Sequence, residues 1–260
     1  MTAQPLLAVL SGGVVGFSLG LIGGGGSILA VPLLLYVVGI SDPHVAIGTS
    51  ALAVALNAFA NLAQHARAGT VKWPCATVFA GAGVIGALVG SFIGKAIEGQ
   101  RLLFVFALVM VAVGVSMLRP RATEGDPGIR IDRQIAVRLI AIGFFTGLFA
   151  GFFGIGGGFL IVPGIMLGSG MAVLNAVGSS LFSVGAFGVA TATSYALSGL
   201  VDWQIASLFI AGGIIGGAFG IRAVVRLAAR KGAVTRIFAG VLFAVAAYML
   251  YRSGSALGLL

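Results

Sequence analysis

Charge is scarce in this chain. Of 260 residues, 8% are Asp, Glu, Lys or Arg, roughly a third of the share carried by soluble proteins. So little charge excludes a water-soluble globular fold. Cysteine is almost absent: Cys75 stands alone, which excludes an intramolecular disulfide and a Cys-rich zinc site. The six acids are Asp42, Glu98, Glu124, Asp126, Asp132 and Asp202, and all fall in or beside predicted loops. No carboxylate lies inside an apolar stretch, where proton- and cation-coupled carriers place one, and the oxygen ligands of a hard-metal site are missing. The N-terminus has no basic residue before its apolar run and no A-x-A site, so a cleaved signal peptide is not expected.

What is present is apolar. Hydrophobic residues make up 59%, and nearly every window of about 19 residues outside three short stretches could lie in a bilayer. The 43 glycines show no G-X-Y period, which excludes collagen; in apolar helices they allow close packing. The net charge of +9 does not point to nucleic acid, because the basic residues sit in short gaps between apolar segments. The sequence is that of a multi-pass protein whose first partner is the lipid bilayer.

The chain is one sequence written twice. Gly16 to Pro32 reads GFSLGLIGGGGSILAVP and Gly147 to Pro163 reads GLFAGFFGIGGGFLIVP, an offset of 131. Further on the offset is 130: Gly48 and Ser50 match Gly178 and Ser180, Trp73 matches Trp203, and Gly86 and Gly90 match Gly216 and Gly220. The expected organisation is a first membrane repeat over 1–118, a solvated cytoplasmic linker over 119–138 and a second membrane repeat over 139–260, forming one transmembrane unit. Each half reads as a long apolar stretch with a glycine break, at 23–26 and 154–158, followed by three ordinary spans. Ser41-Asp42-Pro43 supplies an N-cap and an N1 proline for a helix starting near His44.

The broken segments decide the topology. As one straight helix, residues 5–40 would run about 54 Å, against a hydrocarbon core of about 30 Å. Pieces of roughly 17 and 14 residues, folded back at the glycines, fit as a re-entrant or discontinuous segment. With the linker inside, this arrangement puts 12 Lys and Arg residues inside and only Lys95, Arg101 and Arg252 outside. Four full crossings per half would give 8 and 7. The positive-inside rule selects the first, an inverted repeat; two full crossings per broken segment give the same parity and stay open.

The glycine breaks also carry chemistry. Helices restarting near Ser27 and Phe159 would present unpaired N–H groups, which suit an anion, and glycine lets a ligand approach the backbone. Two such ends in an inverted repeat would meet near the midplane. Gly23, Gly24, Gly25, Gly26 and Ser27 are therefore candidate substrate ligands, with Gly154, Gly156, Gly157 and Gly158 as their counterparts. The following helix carries a polar face of Ser50, Asn57, Asn61 and Gln64, echoed by Ser180, Thr191 and Ser194, except that Phe187 replaces the polar residue at the Asn57 position. A polar stripe in an apolar helix faces protein or water, not lipid. The spacings Gly12/Gly16/Gly20, Gly86/Gly90/Gly94 and Gly212/Gly216/Gly220 read as packing surfaces. Gly16-Phe17-Ser18-Leu19-Gly20 matches G-x-S-x-G, but without a strand-to-helix elbow or a nearby acid it does not make a hydrolase. No catalytic residue, metal or cofactor is expected.

The stretches GLIGGGGSILAVPLL at 20–34 and IGTSALAVALNAFANLAQHARAGTVKW at 47–73, with GFFGIGGGFLIVP at 151–163 and AVGSSLF at 176–182, resemble the sulfite exporter TauE/SafE family, also called the 4-toluene sulfonate uptake permease family. The resemblance covers essentially the whole chain. It implies a transporter of small sulfur-containing anions (sulfite, organosulfonate or thiosulfate) in the cytoplasmic, inner membrane, working by alternating access. A carrier or channel for another small anion such as a carboxylate, and a non-transporting scaffold, are the alternatives. The coupling ion, proton or sodium, and homo-oligomer formation stay open.

Overall fold

Helices begin where the sequence supplies a cap. Asp42 accepts hydrogen bonds from the backbone N–H groups of His44 (2.7 Å) and Val45 (3.4 Å), with Pro43 in the first turn. Asp132 and Asp202 cap two later helices by accepting from Ile135 (2.7 Å) and Ile205 (2.9 Å). The computed structural model describes residues 3–118, 125–126, 129, 131–154, 158–227 and 231–258, and these are helical apart from turns and one isolated bridge. In chain order the elements are α1 (Ala3–Ile22), α2 (Gly23–Val38), α3 (Pro43–Arg67), α4 (Trp73–Ala96), α5 (Gly99–Leu118), α6 (Arg133–Phe153), α7 (Gly158–Ser169), α8 (Val173–Ala196), α9 (Trp203–Leu227) and α10 (Lys231–Ala256). Among the described residues, seven helices are long and apolar enough to cross a membrane: α1, α3, α4, α5, α6, α8 and α9. Large apolar side chains such as Leu10, Ile85, Phe145 and Phe219 point outward, as lipid contact requires.

The glycine-broken segments differ in proportion from the sequence expectation. α1 runs 20 residues before the break, about 30 Å at 1.5 Å per residue and already a full bilayer core. The break itself does not interrupt the helix for long. Gly23 takes φ of +73°, a left-handed conformation that glycine adopts without a Cβ penalty. The chain then tightens into a 3-10 helix over Gly23–Leu29, a short α segment over Ala30–Leu33 and a π turn over Leu34–Val38.

Packing follows the glycines. α1 lies along α9, and α4 along α6. A Cβ on Gly16 would strike the carbonyl of Gly213, and one on Gly147 would strike the carbonyl of Gly83. Backbone-to-backbone contact of this kind is what small residues permit in membrane helices. The matched positions recur throughout. Gly12 faces Phe209 as Gly143 faces Phe79, and Gly48 faces the Leu200 carbonyl as Gly178 faces that of Thr70. The Asp202 N–H donates to Thr49 Oγ1 (2.9 Å) as the Lys72 N–H donates to Ser179 Oγ (2.9 Å). Exchanging the two halves therefore reproduces the contacts.

Directions can be read from the same pairs. α3 and α8 pack antiparallel, since Gly48 meets Tyr195 near one end while Asn175 donates to the Thr70 carbonyl (3.0 Å) at the other. α9 runs parallel to α3, with Gly213 against Asn57 and Gly217 against Asn61. One end of the molecule thus holds Arg67, Lys72 and the start of α8, where the Asp126 N–H also bonds the Gly170 carbonyl (3.0 Å) and ties in the connector. The opposite end holds Pro43, Lys95, Glu98, Arg101 and Trp203, and a cleft of about 650 Å³ there is lined by Tyr36, Gln100 and Arg252. Trp73 and Trp203, both exposed, start α4 and α9 at opposite ends, the placement of interfacial aromatics.

Candidate functional site

Asn57 lies near the middle of α3, is fully buried, and neither its carboxamide oxygen nor its nitrogen has a hydrogen-bond partner. The space it fills exists because α9 carries glycine: a Cβ on Gly213 would fall on the Asn57 amide. One turn on, a Cβ on Gly217 would lie 2.8 Å from Asn61 Oδ1, and Asn61 Nδ2 donates to the Asn57 carbonyl (2.9 Å). Gly16 of α1 packs on the backbone of the same Gly213. Sequence reading singled out both asparagines but not their glycine seat. The signal was there, since Asn57/Asn61 and Gly213/Gly217 share a four-residue spacing.

The equivalent place in the other half is apolar. A Cβ on Gly83 would strike the ring of Phe187, which stacks on Phe79 with centroids 6.1 Å apart. The substitution of Phe187 for a polar residue thus leaves one of the two matched notches polar and the other aromatic.

The glycine turns sit apart from these notches. Gly154, at φ +67°, packs on Ile47, and its carbonyl accepts from Ser50 Oγ (3.2 Å), which also bonds the Ile47 carbonyl (2.8 Å). Gly23 packs on Val177, whose carbonyl accepts from Ser180 Oγ (2.7 Å). Each turn therefore lies about one helical turn into α3 or α8, toward opposite ends of the molecule. The 3-10 start of α2 and α7, the segments that follow the two breaks, are in contact. Within that start, Gly24, Gly26 and Ser27 are buried, Gly25 is half-buried, and Ser27 Oγ donates to the Gly24 carbonyl (2.8 Å). Gly158 opens α7, while Gly156 and Gly157 fall outside the described residues.

Thr191 is buried on α8 with its hydroxyl unpartnered. Among the expected ligands, Ser50 meets Gly154, Ser180 lies beside Gly23, and Asn57 meets Asn61. Ser18, the hydroxyl of the G-x-S-x-G stretch, donates to the Val14 carbonyl (2.8 Å) within its own helix. Among the described residues, no three His, Cys, Asp or Glu side chains cluster as a metal ion would need.

Comparison with known proteins identifies the family and relatives of the chain. The family model described as sulfite exporter TauE/SafE matches residues 8–249. A "Probable membrane transporter protein" of Xylella fastidiosa (strain 9a5c) is 51% identical over 262 residues, 99% of each chain. The "Probable membrane transporter protein YunE" of Bacillus subtilis (strain 168) is 28% identical over 237 residues, covering 83% of this chain and 86% of the relative. The "Sulfite exporter TauE/SafE family protein 5" of Arabidopsis thaliana is 32% identical over 90 residues, 35% of this chain and 20% of that protein. No solved structure matches. With a family match over nearly its whole length and a half-identical relative of equal extent, this all-helical chain belongs to the sulfite exporter TauE/SafE family of membrane transporters.

Proposed function

We propose that the protein carries small sulfur-containing anions, of the sulfite, organosulfonate or thiosulfate class, across the inner membrane by alternating access of two oppositely oriented repeats. The observation that carries the reading is the Asn57 carboxamide, buried at mid-helix with all its hydrogen-bonding capacity unused. A buried polar group without a partner is costly, and where one persists a ligand or water is the ordinary explanation. Its two N–H donors suit an oxyanion, and no carboxylate stands in the spans to repel one. Asn61, Ser180 and Thr191 extend the polar lining, and the glycine turns held by Ser50 and beside Ser180 shape its two ends. Repeat inversion is supported by the antiparallel pairing of α3 with α8, which occupy equivalent places in the two halves. It is also supported by the basic residues: Arg67 and Lys72 share the connector's end, while Lys95, Arg101 and Arg252 lie opposite.

Flux into proteoliposomes tests this reading. Labelled sulfite should enter, and thiosulfate and methanesulfonate should compete while acetate and chloride do not. Competition by acetate equal to that by methanesulfonate would move the assignment to a general small-anion carrier. Absence of flux for every anion would return the protein to a non-transporting role.

A further inference from the structure

Lys95, in the last turn of α4, has no carboxylate within ion-pairing distance among the described residues. Its Nζ donates to the Ser194 carbonyl (2.9 Å) and the Ser198 hydroxyl (2.9 Å), and lies over the rings of Phe92 (4.9 Å) and Tyr195 (5.7 Å). The acids of this end are engaged elsewhere. Asp42 caps α3, Asp202 caps α9, and Glu98 pairs with Arg101 (3.0 Å). An ammonium held only by neutral oxygens and rings keeps its charge available for an anion.

The helix end that holds this lysine carries polar groups without partners of their own. The hydroxyls of Thr191, Ser194 and Tyr195 are unpartnered, with the three residues 0%, 5% and 0% exposed. With Ser198 they fall at i, i+3, i+4 and i+7, one face of α8 and its end. His44 Nδ1 is also buried and unpartnered, with its ring 6.4 Å from that of Tyr195. Unpaired buried hydroxyls call for a ligand or water, and a cation without a counter-charge on the same helix end favours an anion in that place. The second repeat has Val225 at the position matching Lys95, so the lysine is not a requirement of the repeated fold.

We propose that Lys95, Ser194 and Tyr195, with Thr191 one turn deeper, form an anion-binding station at the end opposite the connector, where a small oxyanion is gathered beside the membrane path. The occupant's identity rests on the transport reading above; the station's existence does not.

The test is thermal unfolding of the purified full-length protein in detergent, titrated with sodium sulfite and with sodium methanesulfonate at constant ionic strength set by chloride. The wild-type protein should be stabilised. Lys95→Gln, which keeps a donor for the Ser194 carbonyl, should need about tenfold more anion for the same shift. Lys95→Arg, which keeps the charge, should stay within about threefold of wild type. Asn57→Leu, which removes the deep donors and leaves the station intact, should keep an anion-dependent shift even though its flux is lost. Equal titrations for wild type and Lys95→Gln would overturn the station. Loss of stabilisation in Asn57→Leu but not in Lys95→Gln would overturn it too, and leave the transport reading standing with one deep site. No stabilisation of wild type by either anion would also overturn the station, and proteoliposome flux would then judge the transport reading separately.

Discussion

Replacing Asn57 with leucine separates a ligand-binding role from a packing role, because the two predict opposite effects on stability. The native carboxamide is fully buried with neither polar atom bonded, and an unpaired buried polar group costs about 1–3 kcal/mol. Leucine has a similar shape and removes that cost. Some of the gain is offset where its methyl groups meet Gly213, whose missing Cβ makes the seat; mild overpacking costs about 1 kcal/mol. The net expectation is a gain of about 1 kcal/mol, or about 2–4 °C in the unfolding midpoint for a chain of this size. Transport should fall to background, since the donors that would hold an oxyanion are gone. A gain in stability with loss of activity is the signature of a functional site. Paired measurement of the midpoint in detergent and of sulfite flux in proteoliposomes decides the matter. A variant that loses stability, or that keeps its flux, would show that Asn57 serves packing and not ligand binding.

Other perturbations probe the frame. Gly16→Val and Gly147→Val should each lower stability by about 3 kcal/mol or more, because the new side chain meets backbone on the facing helix; Gly81→Ala, with open space around it, should instead gain about 0.5–1 kcal/mol. Equal stabilities in detergent for all three would contradict the packing. Ser50→Ala should cost about 1 kcal/mol by removing the hydrogen bond to Gly154. Ser180→Ala should cost less than about 0.5 kcal/mol, since that hydroxyl bonds only a carbonyl of its own helix; the two midpoints measured side by side check the difference. In a Cys75→Ser background, single cysteines at the exposed positions Ala68 and Ser255 report topology. A membrane-impermeant thiol reagent added outside should label position 255 and spare position 68, and the reverse would overturn the assigned orientation.

Much of the frame was legible in the residues. The repeat shows itself because a helix packed backbone-to-backbone tolerates nothing larger than glycine, so Gly16 and Gly147, or Gly86 and Gly216, recur in register. The start of α3 was legible because an Asp-Pro pair satisfies its first N–H groups locally. What the sequence hid is which glycine row meets which helix. That α9 lies on α1 and not on its neighbour in the chain is a long-range packing outcome, and with it the fact that Asn57 sits on Gly213. The length of α1 was also hidden: runs of glycine look like an interruption, whereas Gly24–Gly26 continue as a 3-10 helix after a single left-handed residue. The setting of Lys95 was hidden because its partners, Ser194 and Ser198, are about a hundred positions away.

If Asn57 lines an anion path through the membrane, that one position is chemically accessible to anions. Asn57→Cys, in the Cys75→Ser background, would be exposed in membranes to an anionic thiosulfonate reagent and to a cationic one of similar size. Modification by the anionic reagent is expected despite the position's full burial, slowed by methanesulfonate, with little reaction by the cationic one. No modification by either reagent, or equal modification by both without protection, would contradict it.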